Sequence, residues 1–464
     1  MTGDFKVLIV GGSVAGLSLA HCLEKLGISF TILEQGNQIA PQLGASIGVL
    51  PNGGRILDQL GIFNDIEDEI EPLEFAVIRY SDGFSFKSQY PKALHSSYGY
   101  PVSFLERQKF LQILYKKLNN KDCIFTEKRV IAISNGPDKV IAKTSDGAEY
   151  TADVVVGADG VHSFVRSEIW RHLREASQVP VAEEPTTGIK NEYSCIYGIS
   201  VNVPHIKPGM QLSCLDDGVS IHLITGKQSK LFWFIISKTP QNNFAEGEMD
   251  ATHTARRICE GLRTNKFADT LSFEDVWSRC TIFKMTPLEE GVFKQWNYGR
   301  LVCIGDAIRK MAPTIGQGAN MAIEDAARLA NLLHEKLSLG VVPAPDVDSM
   351  LQEFSTAQKV RTESICAQSE FLVRMHANQG IGRRLLGRYL IPFFCDAPAG
   401  ISGLSISGAT RIEFIDLPVR SLEGAWEGSW KFILQSLTYL RPKIRMQHAA
   451  YLVAALIVMY LSIL

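Results

Sequence analysis

Apolar and polar positions change period several times along the chain, and each change marks an element. Val7 to Val10 is a short unbroken apolar run after Lys6, the pattern of a parallel strand covered on both faces. A glycine-rich turn follows, Gly11-Gly12-Ser13-Val14-Ala15-Gly16. Leu17, Leu19, Ala20, Leu23 and Leu26 then recur at helical spacing up to Gly27, a natural stop. Phe30 to Leu33 is a second apolar run closed by Glu34, so the opening predicts one βαβ unit. Helical spacing returns from Arg107 to Leu118, with Phe110, Leu111, Leu114 and Leu118 on one side. Two stretches, 75–100 and 180–285, are β-rich instead. Their alternation, as in Tyr193 to Val203 and Leu231 to Ile236, predicts an inserted antiparallel sheet. Helical patterns dominate from Ala322 to about Leu390, while Gly340 to Asp348 and Ala397 to Gly408 read as loops.

The last sixteen residues, Ala449 to Leu464, break with all of this. They carry no charge and are apolar on every face, with Arg441, Lys443 and Arg445 just upstream. As a helix they would reach roughly 24 Å, a little short of a hydrocarbon core of roughly 30 Å. The expectation is a membrane anchor with its basic flank on the cytosolic side, at an intracellular membrane such as the endoplasmic reticulum. The alternative is a buried or interfacial helix. The start of the chain has none of the features of a secretory signal.

Composition adds exclusions. The 464 residues are 46% hydrophobic and 21% charged, enough for a large core and far from a disordered chain. A net charge of −2 gives no electrostatic footprint for nucleic acid. The nine cysteines are scattered without a CxxC pair, which argues against a zinc site or a disulfide scaffold and for a reducing compartment.

The chemistry sits in the turns. A glycine-rich turn between strand and helix aims backbone N–H groups and a positive helix end at a pyrophosphate. Gly11 permits the sharp turn and Gly16 lets helix and strand approach; Ser13 stands at the middle position, where the usual motif has glycine. Glu34, twenty-three residues beyond Gly11, is placed to accept hydrogen bonds from adenosine ribose and would repel a 2′-phosphate. Two more blocks follow apolar strands. Gly157-Ala158-Asp159-Gly160 with Arg166 comes after Asp153 to Val156. Gly305-Asp306-Ala307, leading to Pro313, Gly316, Gln317, Gly318, Ala319 and Asn320, comes after Leu301 to Ile304.

These three blocks, in this order and over roughly residues 5 to 370, resemble the single-component FAD-dependent monooxygenases of the aromatic-hydroxylase type. The resemblance is nearest to fungal enzymes that epoxidise a prenyl double bond in indole-diterpene and meroterpenoid biosynthesis, which share an apolar tail and a Tyr197-Gly198-Ile199-Ser200 type strand. It implies an α/β fold: a Rossmann-like FAD-binding domain, an inserted antiparallel β-sheet substrate domain, C-terminal helices and a transmembrane tail helix. The expected division is 1–74, 101–179 and 286–370 for FAD binding, 75–100 and 180–285 for the substrate sheet, 371–440 for a helical region and 446–464 for the anchor.

The resemblance also assigns roles. Gly11, Gly12, Ser13, Gly16 and Glu34 would hold the ADP half of FAD, and Asp159 would serve pyrophosphate and nicotinamide donor. Asp306 would bind a ribityl hydroxyl, Gly318 and Ala319 would face the flavin pyrimidine, Gly48 would let backbone lie against the ring, and Arg107 would reach the phosphate or ribityl chain. NADPH would bind only transiently, since the chain has no second glycine-rich dinucleotide fold. Family members often carry histidine where Arg309 stands; arginine does not titrate near neutrality, which puts a proton relay there in question.

For the substrate, Tyr193, Tyr197, His205, His222, Trp233 and Phe234 make the inserted sheet aromatic and apolar. With the tail, that points to a lipophilic small molecule taken from a membrane, with Tyr197 as a candidate hydrogen-bond donor at the reacting oxygen. Two alternatives stay open: a hydroxylase of an aromatic polyketide or phenol, and a membrane flavoprotein without catalysis. Oligomeric state is not legible.

Overall fold

The computed structural model describes residues 5–42, 44, 46–177, 189–238, 248–268, 270–338, 344–393, 396–421 and 426. Its first layer is a six-stranded sheet built round Lys6–Val10, which pairs in parallel with Ser29–Leu33 on one side and Val154–Gly157 on the other. Leu301–Cys303 extends it in parallel, Ile124–Phe125 closes one edge, and Asn297–Tyr298 adds an antiparallel edge strand. Val7, Leu8, Ile9, Val154, Val155 and Val156 are buried to within 1% of complete, as a doubly covered parallel sheet requires. The helices Val14–Leu26 and Gly318–Ser338 pack against one another.

All three glycine blocks leave this sheet at the carboxyl ends of neighbouring parallel strands, where open α/β sheets bind ligands. The first helix ends where the sequence places it, with Gly27 left-handed at φ +67°. The second helical stretch is Arg107–Lys117.

The second layer is an eight-stranded sheet, and it corrects one expectation. Phe75–Tyr80 runs parallel to Met210–Asp216, so the sheet is mixed rather than antiparallel throughout. Within 75–100 the sheet ends at Ser88, and Tyr90–Tyr98 is a helix. Lys190–Val201, Val219–Thr225, Lys230–Lys238 and Cys280–Val292 complete its centre. One face is closed by Ala255 and Cys259 of the Glu248–Gly261 helix and by Phe273 and Val276.

Two segments read as loops are helical. Ala344–His376 is one 33-residue helix that absorbs Ala344 to Asp348, with Pro345 in its first turn, and it runs without a break through residue 370. Ala397–Ile406 is the other. Beyond it the chain is strapped to the domain built on the six-stranded sheet. Arg55 donates to the Ala409 and Thr410 carbonyls and stacks on Trp426 at 3.5 Å, and the Gln59 amide bonds Ile412 and Ile415. Among the described residues no helix is long and apolar enough to cross a membrane. The anchor expected at 446–464 lies outside the described residues.

Candidate functional site

The glycine turn is locked from three sides. Gly11 sits at φ +106°, and a Cβ on it would lie 2.4 Å from the Ala158 carbonyl oxygen; a Cβ on Gly16 would lie 2.0 Å from the Gly11 oxygen. No side chain larger than hydrogen can stand at either position without moving the central sheet. Glu34 holds the turn from its third side. Its Oε2 accepts from the Gly12 N–H at 2.8 Å and its Oε1 from the Gly36 N–H at 2.7 Å. Each carboxylate oxygen keeps a further lone pair for a ribose hydroxyl.

Ser13 is the N-cap residue of Val14–Leu26 but does not cap it with its side chain. Its Oγ instead accepts from Arg107 Nη2 at 2.8 Å. A guanidinium and a helix N-terminus therefore meet over the same turn, an anion cradle that glycine alone would not make. Gly44, at φ +83°, leaves room for this arm: a Cβ there would lie 2.9 Å from Arg107 Cδ. Burial lowers the Arg107 pKa, and the charges of Asp306, Tyr197 and Glu34 oppose that.

Asp306 lies in the short 3-10 turn Gly305–Ala307, half-exposed and paired with Lys310. Behind it stands an arrangement that the sequence reading missed. Asp325 is fully buried and accepts from the Gly305 N–H at 2.8 Å, from Arg309 Nη1 at 2.6 Å and from the Gln358 amide at 2.8 Å. Arg309 is itself 2% exposed, so it serves as half of a buried ion pair that fixes the Asp306 turn. That gives its place in the motif a structural part, through the buried pair with Asp325. Arg166 ties two motifs together, donating to the Ala307 and Val161 carbonyls while stacking on Phe293 at 3.5 Å.

Asp159 is engaged by its own loop. Its carboxylate accepts from Ser163 Oγ at 2.5 Å and from the Phe164 and Val165 N–H groups at 2.7 and 3.1 Å. Those bonds cap the Phe164–Ala176 helix and turn the side chain back into its own loop.

Gly48 is likewise explained from within the protein. Its absent Cβ would lie 3.0 Å from the Phe104 ring, and its carbonyl accepts from the Asn320 amide at 2.9 Å. Asn320, named in the third block without a role, also bonds the Gly316 carbonyl and the Leu50 N–H, fastening this segment to the start of Gly318–Ser338. That helix begins at Gly318, four residues before the expected Ala322, and a Cβ on Gly318 would meet nothing within 4 Å. Gly318 and Ala319 thus form an open helix N-terminus. The buried hydroxyls of Ser46 and Thr314, on the flanking segments, have no partner among the described residues.

Tyr197 comes from the other layer. Strand register places Ile78, Ser213, His222, Phe234, Tyr197 and Lys284 in one row across the eight-stranded sheet, all on the same face. The row ends at Lys284; burial raises the Tyr197 pKa, and the charges of Lys284 and Arg107 oppose that. Of the six residues expected to line a substrate chamber, Tyr197, His222 and Phe234 belong to this row. Trp233 points to the opposite face and donates to Ser200 Oγ at 3.0 Å, Tyr193 is buried under the Ala344–His376 helix, and His205 stands in an exposed turn at φ +62°.

His222 is held between Ser213 and Ser220 at 2.9 and 3.1 Å, and burial pushes its imidazole down to about 3. A depressed histidine pKa gives stability that is full above the unfolded value of about 6.5 and is lost as pH falls towards the folded one, at up to about 1.4 kcal/mol per pH unit. Denaturant unfolding should therefore show stability falling between about pH 6.5 and about pH 5, and His222→Asn should flatten that slope by one proton. An unchanged slope would refute the neutral, buried imidazole.

The residues suit a flavin dinucleotide: an anion cradle at Ser13 and Arg107, carboxylate acceptors at Glu34 and Asp306, an open helix N-terminus at Gly318, and orphaned hydroxyls close by. Comparison with known proteins agrees. Residues 4–340 match the family described as FAD binding domain. The chain is 77% identical over 459 residues to the FAD-dependent monooxygenase ltmM of Epichloe festucae (strain Fl1), covering 98% of this chain and 97% of that one. It is 66% identical over 465 residues to the FAD-dependent monooxygenase idtM of Claviceps paspali, covering 100% and 95%. Among solved structures, Klebsiella pneumoniae HpxO complexed with FAD and uric acid matches with a TM-score of 0.69 at 19% identity, over 87% of this chain and 97% of that one. A salicylate hydroxylase substrate complex matches at 0.64 and 18%, over 87% and 98%. At such identities the structures speak for the fold.

Proposed function

The chain belongs to the FAD-binding-domain family and is an FAD-dependent monooxygenase, and from that premise we propose that it epoxidises a prenyl-chain double bond of a lipophilic precursor, of the indole-diterpene or meroterpenoid kind, with NADPH and O2. When bound, FAD supplies the redox chemistry: NADPH gives two electrons, one oxygen atom of O2 goes to the alkene and the other leaves as water.

The protein's part is binding, orientation and exclusion of water. Gly11, Gly12, Ser13 and Gly16 with Arg107 hold the pyrophosphate, Glu34 the adenosine ribose and Asp306 the ribityl chain. Gly318 and Ala319 present N–H groups and the positive helix end to the flavin pyrimidine. Gly48 acts through its carbonyl bond to Asn320, and Asp159 through the turn it caps.

One observation carries the choice of epoxidation. The sheet row offers Tyr197, Phe234 and a His222 fixed in its neutral form, none of them a base near neutral pH, and it ends in one cation, Lys284, beside Tyr197. Converting a phenol to its reactive phenolate calls for a base to take the proton, which these three side chains do not supply, and Lys284 is the residue that would hold a phenolate in the alternative reading; an alkene needs only a dry apolar seat and an aimed oxygen atom. Tyr197 is proposed to donate its hydroxyl proton in a hydrogen bond to that oxygen. The apolar tail is proposed as the anchor that keeps the enzyme at an intracellular membrane, where such substrates dissolve.

The test is product analysis: membranes carrying the full chain, NADPH and a prenylated precursor should yield a product one oxygen heavier that acid opens to a diol. A phenolic substrate oxygenated in preference would replace epoxidation by aromatic hydroxylation. Oxidation of NADPH indifferent to either substrate would leave a flavoprotein without monooxygenation.

A further inference from the structure

Large apolar side chains are exposed at nine positions among the described residues, and four of the nine fall within ten residues: Ile381 at 82%, Leu385 at 50%, Tyr389 at 55% and Leu390 at 41%. They sit on one continuous helical stretch made of Ile381–Leu385, Leu386–Leu390 and Ile391–Phe393. Ile381, Leu385 and Tyr389 are four residues apart, so they form a stripe on one side. Arginines flank it at 383, 384 and 388, and no acidic residue occurs between Glu370 and Asp396. The inner side is fastened. Arg388 pairs with Asp82 at 3.0 Å and stacks on Phe84 at 3.7 Å, and a Cβ on Gly387 would lie 3.0 Å from the Tyr80 hydroxyl. Tyr80 lies two residues after Ile78 on the same strand, on the face that carries His222, Phe234 and Tyr197.

From this the geometry points to a membrane contact at residues 381–390, distinct from the tail: an interfacial helix that lays its apolar stripe into an anionic bilayer surface. Charge complementarity selects the occupant. Arg383 and Arg384 have no salt bridge among the described residues, and an acid-free helix with apolar residues between arginines suits a headgroup layer, where arginine stems lie along the acyl boundary and a tyrosine ring sits at the interface. The apolar 449–464 segment, with its own basic flank, would bring that surface within reach. Two contacts on one bilayer bind far more tightly than either alone. They would also set the Ile78-to-Tyr197 row with its outer end toward the lipid. The binding claim stands on the exposed stripe and does not need the epoxidase reading; only the delivery of substrate rests on it.

Hydrogen–deuterium exchange on the FAD-loaded full chain tests the contact, alone and with phosphatidylcholine vesicles containing about a quarter phosphatidylserine. Exchange across 381–393 should slow about tenfold with those vesicles, and less with phosphatidylcholine alone or at high salt, while Glu248–Gly261 on the far face of the sheet stays unchanged. In Ile381→Ser/Leu385→Ser/Tyr389→Ser that protection should vanish with flavin content intact, and the KM for a vesicle-borne substrate should rise several-fold at unchanged kcat. Full protection before vesicles are added would mean that this chain covers its own stripe, and would overturn the proposal. So would equal protection in the triple variant, or a vesicle-free dimer that the variant abolishes. Vesicle-dependent protection without any oxygenated product would sink the epoxidase reading and leave this one standing.

Discussion

Gly11→Val should purify colourless. The substitution puts a β-branched residue at φ +106°, a conformation that costs an L residue at least about 1–2 kcal/mol. It also drives the new Cβ to 2.4 Å from the Ala158 carbonyl oxygen. Ala158 cannot give way cheaply, because its N–H bonds the Val10 carbonyl at 2.8 Å and the strand that leads into it, Val154–Gly157, is paired residue for residue with Val7 to Val10. The turn must shift instead, and with it the Ser13 hydroxyl that meets Arg107. A shift of an ångström misaligns the N–H groups intended for the pyrophosphate, so FAD affinity should fall by at least about a hundredfold, or about 2.7 kcal/mol. Gly27→Ala is the control. Gly27 is also left-handed, at φ +67°, but a Cβ there meets nothing within 4 Å. It should lose about 1 kcal/mol of stability and keep its flavin. Visible flavin absorbance and thermal melts of both variants decide the matter: full colour in Gly11→Val would remove the cradle from the account.

The contrast between these glycines shows what was legible in sequence. The three strands that end in glycine blocks could be read because a doubly buried parallel strand has no polar positions, and its neighbour in the pattern is the turn itself. The face of the second sheet could not be read. The alternation expected of Leu231 to Ile236 is absent: the run is apolar on both faces, since one packs on helices and the other on the FAD-type domain and the Ala344–His376 helix, so nothing in it tells that Trp233 and Phe234 part company. Ala397–Ile406 was hidden by its composition. Pro398, Gly400 and Gly403 argue against a helix, but the Tyr98 hydroxyl reaches the Gly403 carbonyl, and Ser405 is held by Gln317 and Arg361. Tertiary bonds supply there what intrinsic propensity lacks. Partners distant along the chain were equally invisible: Glu34 shows as an acid at the right spacing, but nothing in its neighbourhood tells that one of its oxygens also clamps Gly12, twenty-two residues back.

Arg309→Leu is the second large effect, and it separates a structural arginine from a chemical one. Removing the guanidinium leaves the Asp325 carboxylate, fully buried, with only the Gly305 N–H and the Gln358 amide as donors. An orphaned buried charge of this kind costs about 3–5 kcal/mol. Burial already raises the Asp325 pKa, and Arg309 is the main force opposing it, so the variant's carboxyl should take up a proton more readily. The sign follows: a carboxyl whose folded pKa is raised binds more protons folded than unfolded, so stability falls as pH rises through that range, and the penalty of the variant should be larger at about pH 8 than at about pH 5. Because Asp325 also holds the Gly305 N–H, the Asp306 turn should loosen and flavin should dissociate more readily. Arg309→Leu/Asp325→Leu removes both charges and should recover a large part of the stability, although the Gly305 N–H then lacks its acceptor. Whatever turnover survives should keep the wild-type pH profile, since Arg309 acts through the fold and touches no reacting group. A variant that melts like wild type, holds its flavin and loses only turnover would move Arg309 out of the core and into the reaction.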